Sequence, residues 1–159
     1  MGFNWRLPNN TGKLKGKNVE DGFEPGTEQD LQETLEFSQP KYLFVDDEPF
    51  ILDLLYNCFS QHASVTLASN GKEALDKTSN IYFDVIISDV NMPVLDGIAF
   101  FKSLHEKDPR IKERFLFCTG CLSFELECFC REHQIRSIFK PFNLLKLQSV
   151  LAEFKSCQK

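Results

Sequence analysis

No run of apolar residues in this 159-residue chain approaches the roughly 18 needed to cross a bilayer as a helix. Met1 to Thr11 also lacks the continuous apolar core of a secretory signal, so the expectation is a cytoplasmic chain. Basic excess is missing too. There are 18 Lys and Arg against 23 Asp and Glu, a formal net charge of -5. Nucleic-acid backbones are normally met by a clustered basic face, so no nucleic-acid partner is expected. An N-myristoylation signal at Gly2 would want Ser or Thr where Arg6 stands.

A disulfide or metal framework is also lacking. The six cysteines fall in well-patterned apolar segments, where reduced thiols pack like small hydrophobes. Cys118 and Cys121 form a CxxC, and Cys128, Cys130 and His133 follow. The second group fits no common zinc spacing, and Cys118 falls inside an apparent strand. Buried thiols are therefore expected in place of zinc.

With 42% apolar and 26% charged residues, the chain has enough material for one compact soluble domain and an extension. Residues 1–39 read as an N-terminal tail or linker rich in Asn, Gly, Lys and Glu, partly disordered. Within it, Thr27 and Asp30 resemble a capping box, and Leu31 and Leu35 share one face of a short helix over 28–37. Phe3 and Trp5 read as loosely packed aromatics ahead of a partner anchor.

Residues 40–159 read as a domain in which short apolar runs alternate with helical periodicity, the pattern of a parallel sheet covered on both faces. The runs are Tyr42 to Val45, Val65 to Ala68, Val85 to Ser88, Phe115 to Cys118 and Ser137 to Phe139. Helices are expected from Phe50 to Gln61, Gly71 to Lys77, Gly97 to Lys107, Ser123 to His133 and Asn143 to Ser156. In the last, Leu144, Leu147, Leu151 and Phe154 make one stripe, and Asn143 is a plausible cap.

Such open sheets bind ligands beyond the carboxyl ends of their strands. Those ends carry Asp46-Asp47-Glu48, Asp89, Thr119-Gly120 and Lys140-Pro141. Carboxylates so close would repel one another unless a hard, oxygen-preferring cation lay between them, and Mg²⁺ is the natural occupant. One carboxylate could then act as nucleophile toward phosphorus, with cation and ammonium neutralising the phosphoryl oxygens. Gly120 leaves room for a close backbone approach.

The segments YLFVDDEPFILDLL, DVIISDVNMPVLDG, FLFCTG and SIFKPF together resemble the receiver domains of response regulators, the CheY-like family of two-component systems. The resemblance runs from about Lys41 to the C-terminus. It implies a flavodoxin-like, doubly wound (βα)5 fold whose five parallel strands lie in the order 2-1-3-4-5. It implies Asp89 as phosphoacceptor, with Thr119 and Lys140 contacting the phosphoryl group. It also implies Mg²⁺ held by Asp46, Asp47, Asp89 and the backbone carbonyl of Asn91, and a cis Lys140-Pro141 bond. Asn91 and Cys121 occupy positions that tune hydrolysis in that family. Met92, Pro93, Asp96 and Gly97 match the turn after the acceptor strand, where Gly would tolerate backbone angles that a side chain resists. Ser137 is a departure, because the family often has Tyr or Phe there as the switch partner of the Thr. Phe139, on the same strand face as Ser137, could substitute in part.

The expected function is a phosphoacceptor receiver that takes a phosphoryl group from phosphohistidine, catalyses its own phosphorylation and dephosphorylation, and switches protein contacts. Its partners would be a histidine kinase or histidine phosphotransfer protein and a downstream protein on the face of the fourth helix, fifth strand and fifth helix. A homodimer could use that face too. Because the sequence stops after the fifth helix, output by protein contact, or a receiver belonging to a hybrid histidine kinase, is expected before DNA binding. A haloacid-dehalogenase-like phosphatase is the rival: it would place its Asp nucleophile at the first strand with an acid two residues on and a cap domain, whereas this chain has Asp46-Asp47-Glu48 there and no cap domain is expected.

Overall fold

The computed structural model describes residues 39–121 and 123–156. The helix expected over 28–37 and the aromatics Phe3 and Trp5 lie outside the described residues, as does all of the expected tail before residue 39.

Five strands alternate with five helices: β1 (Lys41–Val45), α1 (Pro49–Phe59), β2 (Ser64–Ala68), α2 (Gly71–Thr78), β3 (Val85–Ser88), α3 (Gly97–Lys107), β4 (Phe115–Thr119), α4 (Phe124–His133), β5 (Arg136–Phe139) and α5 (Leu144–Ser156). All strand pairs are parallel and the order is β2-β1-β3-β4-β5. The expected (βα)5 fold and strand order are found, with no element end displaced by more than two residues and β3 and α3 at their expected bounds. A 3-10 turn at Pro109–Glu113 was not foreseen, although Asp108 caps it through the Arg110 amide.

The three inner strands are buried end to end apart from Lys41, because helices cover both faces of the sheet and leave no polar side for alternation to mark. One face packs Phe83, Phe100, Phe101, Phe115 and Phe117 with Leu126 and Cys130 of α4. The other packs Tyr42, Phe44 and Phe59 with Leu147, Leu151 and Phe154 of α5.

Side-chain caps start four of the helices. Asn70 accepts from the Glu73 amide, Asp96 from Ala99, Ser123 from Leu126 and Asn143 from Leu145, at 2.7 to 3.1 Å. Each satisfies an amide that the first helical turn leaves unpaired. At α1 no side chain caps, and Pro49 removes one of the amides in need of a partner. In chain order α1, α3 and α4 are the helices that follow the residues at the ends of β1, β3 and β4.

Candidate functional site

β1 and β3 are neighbours in the sheet, so the residues following them lie side by side. The Asp46 amide donates to Ala68 O at 3.1 Å and the Asp89 amide to Val45 O at 2.8 Å, which carries the ladder pattern one residue past each strand. Both carboxylates are consequently fixed at the sheet edge and buried, with 3% and 6% of each residue exposed. One oxygen of each is held locally: Asp46 Oδ1 accepts from the Glu48 amide at 3.0 Å, and Asp89 Oδ2 from the Asn91 amide at 2.9 Å.

The remaining oxygens face Lys140, at the end of β5. Its Nζ lies 2.7 Å from Asp46 Oδ2, 3.3 Å from Asp89 Oδ1 and 3.5 Å from Glu48 Oε1. The Lys140 amide donates to Thr119 O at 2.8 Å, and the Lys140-Pro141 peptide is cis, as the resemblance implied.

Charge is unevenly balanced in this pocket. Burial pushes the Asp46 carboxyl above the usual carboxylate range despite the opposing pull of Lys140 and the Glu48 amide. Burial works against the Lys140 ammonium as well, but its contacts with Asp46 and Asp89 outweigh that and hold its pKa above the ordinary lysine value. The two partners thus shift in the same direction. A lysine facing three carboxylates stays charged, and the surplus in the pocket is negative.

Thr119 is fully buried, and its hydroxyl both donates to Cys121 O and accepts from the Cys121 amide, at 3.3 and 3.2 Å. Asp47 is exposed. The structure therefore brings Asp46, Asp89 and Lys140 into direct contact, turns Thr119 into its own loop and leaves Asp47 at the rim. Among the described residues, no three acidic, His or Cys side chains converge as a ready-made metal ligand set. What the pocket offers is hard oxygen donors in negative surplus, which is the donor chemistry a small divalent cation takes.

Three readings of the sequence need revision. Gly97 is required by space and not by backbone angle: an added Cβ would lie 2.1 Å from Asp89 O and 3.1 Å from Ser88 Oγ. The left-handed residue of that turn is Val94, at φ 70, 82% exposed. The thiols are also not uniformly buried, since Cys118 and Cys130 are but Cys121 and Cys128 are exposed. Lastly, Glu48 had been given no role, although it faces Lys140. Its signal in the sequence was a Glu at a helix N-cap, a position that Ser, Thr, Asp and Asn fill best.

Known proteins match this chain in sequence and in fold. The family model of the response regulator receiver domain matches residues 42–152. A protein-glutamate methylesterase/protein-glutamine glutaminase of Methanosarcina mazei is 37% identical over 75 residues, 45% of this chain and 21% of that protein. The alkaline phosphatase synthesis transcriptional regulatory protein PhoP of Bacillus subtilis is 44% identical over 68 residues, 42% of this chain and 28% of that protein. The match thus spans about a fifth of the length of the first and little more than a quarter of the second. Among solved structures, the Vibrio cholerae chemotaxis protein CheY4 superposes with a TM-score of 0.66 at 33% identity, covering 73% of this chain and 98% of that one. The receiver domain of the Francisella response regulator 1452 gives a TM-score of 0.67 at 28% identity, covering 76% and 99%. With more than half of its length matched by the family model and its sheet in the receiver order, the chain belongs to the response regulator receiver domain family of two-component signalling systems.

Proposed function

We propose that the chain works as a phosphorylation-controlled switch in which Asp89 takes a phosphoryl group from the phosphohistidine of a histidine kinase or histidine phosphotransfer protein. The observation that carries this reading is the arrangement of Asp89 itself. Its carboxylate is buried at the end of β3, one oxygen pinned by the Asn91 amide and the other turned toward the Lys140 ammonium. A carboxylate so held needs no reorientation before it attacks phosphorus.

Lys140 neutralises charge on the phosphoryl oxygens, and it must loosen its hold on Asp46 to do so. The Thr119 hydroxyl, now bonded within its loop, turns toward the same oxygens. At Gly120 an added Cβ would meet nothing within 4 Å, so the loop backbone can approach the bound group. Asp46, Asp47, Asp89 and the Asn91 carbonyl would hold Mg²⁺. When bound, that cation supplies charge neutralisation and alignment of the phosphoryl oxygens. Release of the phosphoryl group to water resets the switch, and Asn91 and Cys121 stand beside the pocket where they would tune that step.

The output is protein contact on the face formed by α4, β5 and α5, with a downstream protein or a second copy as the partner. Phe124 and Leu145 support this, being 80% and 70% exposed where α4 and α5 begin. Among the described residues no helix is long and apolar enough to cross a membrane, which fits a cytoplasmic switch, alone or within a hybrid histidine kinase.

Incubation with acetyl phosphate and Mg²⁺, followed by intact mass, tests the reading. A receiver gains one phosphoryl group that decays over time. A phosphatase would turn the donor over without a comparable adduct, and a receiver-like module that only binds would do neither.

A further inference from the structure

Glu48 touches both members of the Asp46–Lys140 ion pair. Its backbone amide donates to Asp46 Oδ1 at 3.0 Å, and its carboxylate lies 3.5 Å from Lys140 Nζ, 92 positions along the chain. The side chain has no local task, because it makes no capping bond to α1 although it stands at the N-cap, and Pro49 follows. It reaches instead toward Lys140, with 64% of the side chain exposed, while the Lys140 side chain is 14% exposed. The Lys140 ammonium is thus shared by three carboxylates, Asp46 at 2.7 Å, Asp89 at 3.3 Å and Glu48 at 3.5 Å, of which Glu48 alone is largely exposed.

We propose that Glu48 is a positioning residue whose carboxylate adds a third partner to the Lys140 ammonium, beside Asp46 and Asp89, and so slows phosphoryl entry onto Asp89. This rests on Asp89 being the acceptor. In the step concerned, an Asp89 oxygen–phosphorus bond forms as the donor's phosphorus–oxygen bond breaks, and the electron pair leaves on the donor, acetate in the case of acetyl phosphate. An incoming phosphoryl group must draw the ammonium away from Glu48, so the ion pair competes with entry. Removing this competitor leaves Nζ one carboxylate fewer to release, with Asp46 still its nearest partner.

The test follows acetyl phosphate labelling of the full chain in Mg²⁺ by intact mass, with the modified residue mapped, for the natural protein, Glu48→Gln and Glu48→Asp. Unchanged thermal midpoints establish that both variants fold. The Asp carboxylate is too short to reach Lys140, so both variants should label faster. The gain is roughly two- to fivefold, the worth of one exposed ion pair, and appears in the donor concentration giving half-maximal rate. It should shrink as salt rises. Unchanged or slower labelling of Glu48→Gln overturns the proposal, and so does Glu48→Asp behaving like the natural protein, which would leave only the local negative charge as the cause. If the natural protein itself takes no label at Asp89, the acceptor reading fails, and this proposal falls with it.

Discussion

Gly97 approaches the backbone of Asp89 so closely that a methyl group on its Cα would lie 2.1 Å from the Asp89 carbonyl oxygen. The same carbonyl accepts the Ser88 hydroxyl at 2.8 Å, and the Gly97 amide donates to Val90 O at 2.9 Å, so the start of α3 is drawn against the acceptor segment. Two backbones in contact cannot yield as a flexible side chain would.

Gly97→Ala should therefore cost about 1–3 kcal/mol of stability, the usual penalty of overpacking, and should also reduce labelling by displacing Asp89. Gly120→Ala is the counterpart. With nothing within 4 Å of the added methyl group, its stability should change by less than about 0.5 kcal/mol, while labelling falls as the methyl group crowds the phosphoryl site. Urea unfolding of both variants checks the stabilities. Equal losses at the two positions would contradict the packing account.

The two phenylalanines of α4 should respond differently to charge. Phe124 is 80% exposed. Phe129 packs against the Phe101, Phe117 and His133 rings and lies under the Lys102 ammonium. Phe129→Glu should lower stability by about 2–4 kcal/mol through lost packing and a charge in an apolar setting, whereas Phe124→Glu should leave the thermal midpoint within a few degrees. If Phe124→Glu also abolishes self-association or partner capture, the exposed start of α4 is part of the output face. A strongly destabilised Phe124→Glu would make it core.

Acid sensitivity should carry a contribution from Glu73. Bonds from the Lys77 ammonium and from the Ser69 amide and hydroxyl bring its carboxyl down to about 2, from 4.5. A pKa lowered by folding contributes stability that is present above the unfolded value and lost as pH falls through the folded one. Natural protein and Glu73→Gln should then differ in stability at neutral pH and converge between about 4.5 and 2. A difference that stays constant over that range would show the bonds to Glu73 to be inconsequential.

The fold was legible because the inner strands are short, continuous apolar runs bounded by turn residues, and because α5 repeats Leu147, Leu151 and Phe154 at helical spacing. Asp46, Asp89 and Lys140 were legible through position, since a parallel sheet gathers its strand ends along one edge. Contact detail was not. Lys140 lies closer to Asp46 than to Asp89, which depends on side-chain reach across strands that are remote in sequence. The close approach behind Gly97 was invisible for the same reason, as glycine serves both angle and space and the sequence does not separate them. Exposure of Cys121 and Cys128 went unread because composition treats every thiol as a small hydrophobe: Cys121 lies past the end of β4, and Cys128 lies off the α4 stripe of Leu126 and Cys130.

The most direct test of the central claim compares the natural protein with Asp89→Asn in acetyl phosphate and Mg²⁺. The amide nearly matches the carboxylate in shape but is no nucleophile, so the fold should persist while labelling disappears. The natural protein should gain a single phosphoryl group at Asp89, and chelation of the cation should prevent it. Undiminished labelling of Asp89→Asn, or a label mapped to another residue of the natural protein, would contradict the account.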